Sequence, residues 1–580
     1  MKKLLLGNEA IARGVYEAGA TVSSAYPGTP STEISEYLAQ YAEIDAEWAP
    51  NEKVALEVAI GGSFGGARSV CAMKHVGLNV AADPLFTVAY TGVNGGLVVF
   101  VADDPGMHSS QNEQDTRRVA VAAKVPVLEP ADSEECRTFT KEAFRLSEAF
   151  DTPVIVRLTT RVAHSQGLVT LESREPYALK PYVKNPGKYV MMPAMAQKRH
   201  LEVEKHLAGL KALAEESWLN RTEWSRSGSD IGVIASGIDY EYAREAFGDV
   251  NYLKLGLVHP LPVDLIRAFA AKVRTLYVIE ALEPHIEDHC RKLGLSVTGK
   301  ASLPVTGEYS ARLLKEKLFG DAWVKDNDLT DPAPGRPPVM CAGCPHRGLF
   351  YILKKLKLTV TGDIGCYTLS ALPPLETLDT CVCMGASIGV AHGMEKAMGK
   401  DAMRKTVAVL GDSTFIHSGI TGLIDVVYNK GTATTIILDN SITGMTGHQQ
   451  NPTTGRTLKG EPTRQVDLEQ LCRAVGITRV RVVDPFDLEA TETAVREEIA
   501  AEEPSVVITR RPCALLRTAT FKGKLTIVRE KCKNCRMCKR IGCPAIVDRG
   551  DRMEINAALC VGCQLCRNLC KFDAMEGAGE

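Results

Sequence analysis

The sequence predicts a multidomain α/β protein that ends in a small cysteine-rich domain. Short apolar runs at residues 407–410 and 435–438 stop at a glycine or a polar residue, as buried parallel strands do. Eight of the 18 cysteines lie between Cys532 and Cys570, which sets a C-terminal segment apart. At 580 residues, the chain is long enough for about four domains of ordinary size.

Composition excludes several classes of protein. Lys+Arg total 68 and Asp+Glu total 70, so the surface lacks the excess positive charge that binds nucleic acid. No apolar stretch approaches the ~18 residues of a membrane helix, and the apolar part of residues 1–9 is too short for a signal peptide. Many cysteines without a secretion signal favour thiolate or metal chemistry over disulfides. We therefore expect a cytoplasmic protein that binds neither nucleic acid nor membranes.

Two predicted strands deliver oxygen donors to the same edge of a sheet. The strand at residues 407–410 is followed by Gly411 and Asp412, and we expect Asp412 on a strand-end loop. After a helix predicted over residues 416–430, the next strand leads to Asn440. Because successive parallel strands share one carboxyl edge, the carboxylate and the amide should lie close together. Such donors suit Mg²⁺, which prefers to share its ligand shell with phosphates, so we expect a metal–diphosphate site; the alternative is an ordinary Asp-Asn turn.

The same stretch resembles the GDG…N motif of thiamine diphosphate enzymes, with Ser413 where glycine is usual. It is similar to the motif of the thiamine-dependent 2-oxoacid:ferredoxin oxidoreductase family, whose TGGQ corresponds to residues 446–449. This resemblance implies that Asp412, Asn440 and the carbonyl group of Ile442 hold Mg²⁺. The residues that it implies as further cofactor contacts are Gly385, Gly411, Ser413, Gly444, Met445 and Thr446.

The first α/β domain contains a loop at residues 26–31, between a predicted strand and a predicted helix, where α/β sheets bind ligands. Ser31 is expected to cap that helix. The loop resembles the substrate loop of the same family, which implies that Thr29 contacts the 2-oxo acid. His75 and His108 follow other predicted strands, and we expect them in the pocket, with a solvated role as the alternative.

Glu52 lies in the first turn of a predicted helix that is rich in small residues. A glutamate at that place is favoured by the helix dipole. The segment resembles the part of thiamine enzymes whose glutamate bonds to N1′ of the aminopyrimidine, which implies this catalytic role for Glu52. Glu57 is the rival glutamate, and a purely structural role is the alternative.

A CxxC pair, Cys341 and Cys344, opens the region that follows the predicted linker. By spacing alone, the pair is a redox site or half of a metal site. In the oxidoreductase family, similar cysteines hold an iron–sulfur cluster close to thiamine, and buried free thiols are the alternative. Cys381 and Cys383 are expected to line a helix start beside the cofactor rather than bind iron. The resemblance implies a possible third [4Fe-4S] cluster on Cys341, Cys344, Cys366 and Cys513.

The C-terminal cysteines form two runs, Cys-x2-Cys-x2-Cys-x4-Cys-Pro and Cys-x2-Cys-x2-Cys-x3-Cys. They resemble two-cluster bacterial ferredoxins, in which the fourth cysteine of each run serves the other cluster. The first run is one residue longer than the common spacing, and a zinc module is the alternative. The implied ligands are Cys532, Cys535, Cys538 and Cys570 for one [4Fe-4S] cluster and Cys560, Cys563, Cys566 and Cys543 for the other.

These motifs predict transketolase-like thiamine-binding folds followed by a ferredoxin-like domain. The expected boundaries are a pyrimidine-type thiamine-binding and substrate-loop domain at 1–180, a connecting region at 181–228, a transketolase C-terminal-like domain at 229–322, a linker at 323–338, a diphosphate-binding thiamine domain at 339–520 and a two-cluster ferredoxin domain at 525–575.

This domain order resembles the large (alpha) subunit of the indolepyruvate branch of the family over essentially the whole chain. The resemblance implies oxidative decarboxylation of aryl pyruvates with coenzyme A to aryl-acetyl-CoA and CO2, with electrons passed through the clusters to ferredoxin. It also implies a smaller beta subunit that carries the family's gamma-type domain, in an alpha2beta2 assembly. The alternatives are a family member with a non-aromatic substrate, a non-oxidative thiamine enzyme, and an electron-transfer subunit with a vestigial thiamine site, which Ser413 favours.

Overall fold

The computed structural model describes residues 1–320 and 338–577. Except for Pro338, the linker predicted at 323–338 lies outside the described residues. The chain divides into two compact units, unit 1 (Met1–Pro332) and unit 2 (Ala333–Glu580). Within the described ranges, no helix combines the length and the apolar composition that crossing a membrane requires.

Unit 1 alternates strands with helices along most of its length. Its strands are β1 (Lys2–Leu6), β2 (Val22–Ala25), β3 (Asp45–Trp48), β4 (Ser69–Lys74), β5 (Leu97–Asp103), β6 (Val127–Leu128), β7 (Val154–Thr159), β8 (Gln166–Thr170), β9 (Arg221–Glu223), β10 (Ile231–Ser236), β11 (Asn251–Leu255), β12 (Leu257–His259) and β13 (Thr275–Ile279). Its helices are α1 (Gly7–Glu17), α2 (Thr32–Leu38), α3 (Glu52–Phe64), α4 (His75–Val80), α5 (Ala82–Thr91), α6 (Thr116–Ala123), α7 (Ser133–Ala149), α8 (Thr160–His164), α9 (Pro186–Tyr189), α10 (Pro193–Glu216), α11 (Gly237–Phe247), α12 (Val263–Ala270), α13 (His285–Lys292) and α14 (Ala311–Phe319).

The main sheet of unit 1 has the strand order β12-β6-β7-β5-β4-β2-β3, and its neighbouring strands are parallel except for β12 and β6. Strand β5 is buried along its whole length, as is typical of parallel sheets covered on both faces. The loops after β2 and β5 and the start of α4, which directly follows β4, therefore meet at one carboxyl edge. At this edge Ser31 differs from its expected capping role, because its Oγ donates to the carbonyl group of Gly28 at 2.8 Å.

A second sheet of unit 1 has the order β13-β10-β11-β9. The sequence predicted a separate domain at 229–322, but β12 from this segment pairs with β6 of the main sheet. One apolar cluster contains Val99 and Ile155 from the main sheet together with Ile234 and Phe269 from the later segment. The boundary predicted at residue 229 therefore falls between two sheets that share one core. They share it because β12, the added edge strand, brings the later segment against the main sheet.

Two buried arginines lie where the main sheet of unit 1 meets the later segment, and Arg117 bonds to that segment. Arg157 on β7 donates to Asp103 at 2.6 Å. Arg117 donates to Asp115 at 2.6 Å and to Glu280 at 2.9 Å. All five side chains are buried, so each charge depends on its partner for compensation. The network fixes the end of β5 and with it the start of the next loop.

Unit 2 contains a second α/β sheet followed by the cysteine-rich module. Its strands are β14 (Thr359–Gly362), β15 (Thr380–Cys381), β16 (Thr406–Gly411), β17 (Thr434–Asp439), β18 (Arg479–Val483), β19 (Ser505–Arg510), β20 (Leu525–Ile527), β21 (Ile546–Asp548), β22 (Met553–Ile555) and β23 (Met575–Gly577). Its helices are α15 (His346–Leu356), α16 (Ala386–Met398), α17 (Asp412–Thr414), α18 (Ile420–Tyr428), α19 (Leu468–Ala474) and α20 (Leu488–Ile499), with a π turn at Phe415–Gly419 and 3₁₀ turns at Cys366–Ala371, Lys400–Lys405, Met537–Ile541 and Arg567–Leu569.

The main sheet of unit 2 has the order β15-β14-β16-β17-β19-β18, and its neighbouring strands are parallel. Strands β16 and β17 lie side by side, with Gly411 opposite Leu438. Asp412 differs from its expected loop position, because α17 begins at Asp412 directly where β16 ends. The helix predicted over 416–430 continues from α17 through the π turn and ends at Tyr428.

The cysteine-rich module contains two small antiparallel pairs, β20 with β23 and β21 with β22. Its apolar residues form one cluster with seven of the eight C-terminal cysteines, and the eighth, Cys535, is exposed. The same cluster includes Tyr351 on α15, Leu488 on α20 and Phe486 just before α20. The module therefore rests on two helices of the α/β part of unit 2.

Candidate functional site

Asp412 and Asn440 lie at the carboxyl ends of the adjacent strands β16 and β17. Asp412 is 2% exposed, and its Oδ2 accepts a hydrogen bond from Oγ1 of Thr453 at 2.9 Å. Just before it, the NH group of Gly411 donates to Oη of Tyr367 at 3.1 Å, which fixes the turn into α17. The structure therefore brings together the carboxylate and the amide that the sequence predicted as metal ligands.

The electrostatics around Asp412 suit a divalent cation. Burial and, to a smaller extent, the neighbouring Asp439 raise the pKa of Asp412 to about 7, against the opposing effect of the hydroxyl of Thr453. Asp439 itself pairs with Arg510 at 2.8 Å. Among the described residues, no Lys, Arg or His forms an ion pair with Asp412. A Mg²⁺ ion would supply the missing positive charge, so these donors fit the expected metal.

Ser413 ties the start of α17 to the loop at residues 443–449. Its Oγ accepts a hydrogen bond from Oγ1 of Thr443 at 2.9 Å, and Nδ2 of Asn451 donates to the same Thr443 oxygen at 3.2 Å. Two backbone hydrogen bonds between Thr443 and Gln449, at 3.0 and 3.2 Å, close the loop. The serine that departs from the usual glycine thus takes part in holding the loop.

Asp412 and Asn440 together are called the clamp. The residues after β17 make further hydrogen bonds around it. Oδ1 of Asn440 accepts the NH group of Ile442 at 3.3 Å, and Ile442 is buried. Oγ1 of Thr446 donates to the side chain of Gln449 at 2.5 Å. The predicted cofactor contact Met445 has a side chain that is 52% exposed. Within unit 2, Met445 therefore contributes little to an enclosed site.

The predicted cofactor contact Gly385 lies at the start of α16. Its NH group donates to Oδ1 of Asp363 at 2.9 Å, and the NH group of Ser387 donates to Oδ2 of the same carboxylate at 3.2 Å. Asp363 thus already occupies the start of α16. Glycine is nevertheless required, because Gly385 has φ of +84° and a Cβ there would lie 2.5 Å from Cβ of Ser418. Oγ of Ser387 is buried and has no hydrogen-bond partner among the described residues. It is therefore available to bond with a polar group of a ligand.

Four thiols lie close enough for their charges to act on one another, and they are those of Cys341, Cys344, Cys366 and Cys513. The NH group of Cys513 donates to the carbonyl group of Asn440 at 2.9 Å. Cys366 lies beside Gly444, because a Cβ placed on this glycine would be 3.7 Å from Sγ of Cys366. Burial and, to a smaller extent, the neighbouring Cys513 and Cys341 raise the pKa of Cys366 to about 11. Such thiols need a cationic centre to ionise, which iron would supply.

The C-terminal thiols form two separate groups. Cys532, Cys535, Cys538 and Cys570 line one cavity, and Cys543, Cys560, Cys563 and Cys566 line another. Among the described residues, no three Cys, His, Asp or Glu side chains converge as a site for a single metal ion. Thiols that surround a cavity rather than a point fit an iron–sulfur cluster, whereas zinc requires four ligands at bond distance from one atom.

Arg347 lies between the first four thiols and the module. Its guanidinium donates to the carbonyl groups of Cys341 at 3.0 Å and Ile541 at 2.9 Å. Gly343, in the CxxC turn, also lines the cavity of the group that contains Cys543. The turn packs closely on the module, because a Cβ placed on Gly343 would lie only 2.5 Å from Cγ2 of Val561. The CxxC turn and the module are therefore in direct contact.

Glu52 in unit 1 is enclosed, whereas Glu57 is not. Glu52 begins α3, which Asn51 caps, and its side chain is 4% exposed. A Cβ on Gly77 would lie 2.5 Å from Oε1 of Glu52, so only glycine fits beside this carboxylate. Glu57 is exposed and pairs with Lys53 on the helix surface. Burial therefore favours Glu52 over its rival.

The other predicted residues of unit 1 divide into buried and exposed ones. The carbonyl group of Thr29 accepts a hydrogen bond from Oγ of Ser109 at 3.3 Å. His75 begins α4 and is buried, with Nε2 3.1 Å from the carbonyl oxygen of Asn112 and Nδ1 without a partner among the described residues. His108 is half exposed. Thr29 and His75 therefore line the carboxyl edge, whereas His108 pairs at the surface with Glu308 at 3.3 Å.

Several residues of these sites were missed by sequence reasoning. Thr453 and Asn451 reach the clamp from a loop beyond the motif, and Asp363 occupies the start of α16. Asp363 belongs to the segment Gly-Asp-Ile-Gly-Cys at 362–366, in which a role was predicted only for Cys366. The Asn-Pro-Thr-Thr-Gly segment at 451–455 is rich in turn-forming residues and polar side chains, which was the available indication.

Comparison with known proteins identifies the family. A family model described as pyruvate flavodoxin/ferredoxin oxidoreductase, thiamine diP-bdg, matches residues 13–213, and one described as thiamine pyrophosphate enzyme, C-terminal TPP binding domain, matches residues 363–509. Indolepyruvate oxidoreductase subunit IorA of Archaeoglobus fulgidus is 40% identical over 100% of this chain and 98% of its own length. The chain belongs to the IorA family. IorA of Pyrococcus horikoshii is 38% identical over 100% of this chain and 97% of its own.

Membership of the IorA family confirms the predicted family, the α/β fold class and the thiamine-dependent oxidoreductase chemistry. The matched models also confirm thiamine diphosphate as a cofactor. Among solved structures, a 2-oxoglutarate:ferredoxin oxidoreductase from Magnetococcus marinus has 19% identity and a TM-score of 0.45, and the match covers 54% of this chain and 64% of that one.

Asp412→Asn removes the charge that a metal ion would compensate. We expect this change to weaken Mg²⁺-dependent binding of thiamine diphosphate by about 100-fold or more, as measured by calorimetric titration of the purified protein. Asp425→Asn is the matched control, because Asp425 is an exposed carboxylate on α18. An unchanged affinity in Asp412→Asn would show that this carboxylate is not a metal ligand.

Cys366→Ser removes one thiol of the group beside the clamp. If this group holds a [4Fe-4S] cluster, the anaerobically purified variant should contain about four fewer iron atoms per chain and lose one component of the reduced electron paramagnetic resonance spectrum. Cys290→Ser, a buried thiol in unit 1, is the control and should retain all the iron. Equal iron contents in both variants would show that these thiols are free.

Proposed function

We propose that this chain is the catalytic subunit of an enzyme that oxidatively decarboxylates aryl pyruvates with coenzyme A and passes the electrons to ferredoxin. One observation carries the proposal. In unit 2 the clamp shares backbone contacts with a cysteine group, since Asn440 accepts from the NH group of Cys513 at 2.9 Å and Gly444 lies beside Cys366. A non-oxidative thiamine enzyme has no use for thiolate ligands at that place.

The clamp residues have distinct roles in this proposal. Asp412, Asn440 and the carbonyl group of Ile442 hold Mg²⁺, which binds the diphosphate. The hydroxyl of Ser413 keeps the loop at 443–449 in place through Thr443. Thr453 orients the carboxylate of Asp412 by its hydrogen bond at 2.9 Å. The carboxylate thus meets the metal in one orientation.

Glu52 supplies the acid–base group. Bound thiamine diphosphate supplies the carbon nucleophile that cleaves 2-oxo acids next to their carbonyl group. A carboxyl group that holds a proton at N1′ of the aminopyrimidine favours this chemistry. Glu52 suits the role because it is buried at the start of α3 and fixed against Gly77. His75, buried at the same sheet edge, and Thr29 are proposed to line the substrate pocket, with His108 at its rim.

The cysteine groups form the proposed path for electrons. We assign three [4Fe-4S] clusters, on the group beside the clamp and on the two groups of the module. The contacts of Arg347 and of Gly343 support transfer from the group containing Cys366 to the group containing Cys543. The thiol of Cys538 is close enough to that of Cys566 for its charge to raise the pKa of Cys566, which supports transfer onward to the group containing Cys532. Ferredoxin would accept the electrons from there.

The expected partners follow from the family. The relatives are named as subunits, which supports a partner subunit. We propose that this partner is a smaller beta subunit that carries the gamma-type domain, in an alpha2beta2 assembly. The name of these relatives also supports indolepyruvate and similar aryl pyruvates as substrates. Iron–sulfur ligation requires reduced thiols, so we propose a cytoplasmic location.

Two other functions remain as outcomes of the test. An electron-transfer subunit with a vestigial thiamine site would not need a buried Asp412 whose pKa is raised to about 7 by burial, because an unused carboxyl there only destabilises the fold. A family member with a non-aromatic substrate would use the same clamp and clusters. The substrate class must therefore be measured directly.

The test is an anaerobic assay of coenzyme A-dependent viologen reduction by the purified chain, with and without the smaller subunit. The substrates are indolepyruvate, phenylpyruvate, pyruvate and 2-oxoglutarate. We expect kcat/KM for the two aryl pyruvates to exceed that for the others by about tenfold or more, because the extra ring is bound in a matched pocket. Thiamine diphosphate and iron are quantified in the same preparation.

Each alternative has its own result. Iron without bound thiamine diphosphate, and no turnover of any 2-oxo acid, would establish an electron-transfer subunit. Preference for pyruvate or 2-oxoglutarate would establish a non-aromatic substrate. Decarboxylation without viologen reduction would establish a non-oxidative enzyme.

A further inference from the structure

Lys74 is the last residue of β4 and lies at the carboxyl edge of the main sheet of unit 1. Its neighbours at this edge are the loops after β2 and β5. A Cβ on Gly28 would lie 3.2 Å from Cγ of Lys74, so the stem of the lysine packs under the loop at residues 26–31. Its Nζ donates to the carbonyl group of Ser109 at 2.9 Å. Ser109 in turn donates through Oγ to the carbonyl group of Thr29 at 3.3 Å.

The ammonium group of Lys74 has unused hydrogen-bonding capacity. An ammonium carries three donors, and the contact with Ser109 uses one of them. Among the described residues, no carboxylate oxygen lies within ion-pair distance of Lys74. The nearby Asp104 is occupied, because Ser110 and Thr160 each donate to it at 2.7 Å.

Two acidic neighbours nevertheless keep the lysine positive. Burial lowers the pKa of Lys74 to about 8, while Asp104 and Glu52 act in the opposite direction. The group is therefore still mainly cationic at pH 7. It is partly desolvated and lacks a paired anion, which makes contact with a ligand carboxylate favourable.

Two other basic groups at this edge, Arg161 and His108, are already paired with a carboxylate. Arg161 donates two hydrogen bonds to Glu308, both at 2.8 Å. His108 lies 3.3 Å from the same carboxylate. Nε2 of His75 contacts a backbone carbonyl oxygen. In the described part of unit 1, Lys74 is thus the cation at this edge that is available to an anion.

We propose that Lys74 binds the carboxylate of the 2-oxo acid substrate. The inference rests on the proposed function and adds the group that selects for an acid over the corresponding aldehyde or amide. The ammonium lies between the loop of Thr29, proposed to contact the substrate, and Glu52, whose charge acts on it. A 2-oxo acid bound here would place its carboxylate on Nζ, and its carbonyl group would be held next to Thr29.

The test compares a carboxylate with its neutral isostere in the thiamine-loaded complex with the smaller subunit. The probes are 3-phenylpropionate and 3-phenylpropanamide, which do not react, and their affinities are measured by calorimetry and by inhibition. Lys74→Met should lower the affinity for the carboxylate by about tenfold or more and leave that for the amide unchanged, because only the charged partner is lost. Lys74→Arg should retain part of the preference.

Steady-state kinetics provide a second measurement. In Lys74→Met, KM for phenylpyruvate should rise by about tenfold or more while KM for coenzyme A is unchanged. Lys205→Met, on the exposed face of α10, is the control and should behave as wild type. Circular dichroism verifies that each variant is folded, and Lys74→Gln replaces Lys74→Met if the latter is not.

Two results would overturn the proposal. One is an unchanged preference for the carboxylate over the amide in Lys74→Met, and the other is an equal loss of affinity for both probes. Failure of the proposed function is recognised separately, since the wild-type complex would then turn over none of the 2-oxo acids.

Discussion

The parallel pairing of β16 with β17 is the constraint on which the site in unit 2 depends. It brings Asp412, at the start of α17, to the same sheet edge as Asn440. Strand β19 lies next to β17, so Cys513 reaches that edge too and its NH group bonds to the carbonyl group of Asn440. A buried carboxylate without a paired cation is costly, and a bound metal would offset that cost. One sheet thus supports both the clamp and the nearest cysteine group.

Local patterns made most of unit 2 predictable. The strands and their polar ends follow from short apolar runs, and the grouping of Cys538 with Cys570 follows from the interleaved ferredoxin spacing. The hydrogen bond from Thr453 to Asp412 could not be predicted, because it depends on the path of a loop. The role of Ser413 could not be predicted from the motif either. Its partner Thr443 comes after α18 and β17 in the sequence, so the two residues meet only in the folded protein.

Unit 1 shows more clearly that local sequence patterns do not predict contacts between distant segments. Glu52 and Glu57 lie on one helix, and their difference in burial depends on Gly77, which belongs to another element. The boundary predicted at residue 229 did not anticipate the shared core, because β12 is too short to show any periodicity. The environment of Lys74 is set by Glu52 and by the loops after β2 and β5, which meet only in the folded sheet. Contacts between distant segments, rather than local patterns, decide which polar residues are enclosed.

The central claim is that the clamp and the cysteine groups act as one oxidative site. The most direct test follows the visible absorption of the iron–sulfur clusters after anaerobic mixing of the two-subunit complex with phenylpyruvate. We predict that the absorption bleaches only when thiamine diphosphate and Mg²⁺ are bound, because the electrons must come from the decarboxylated substrate. Decarboxylation of the substrate with no bleaching, or equal bleaching without the cofactor, would contradict the account.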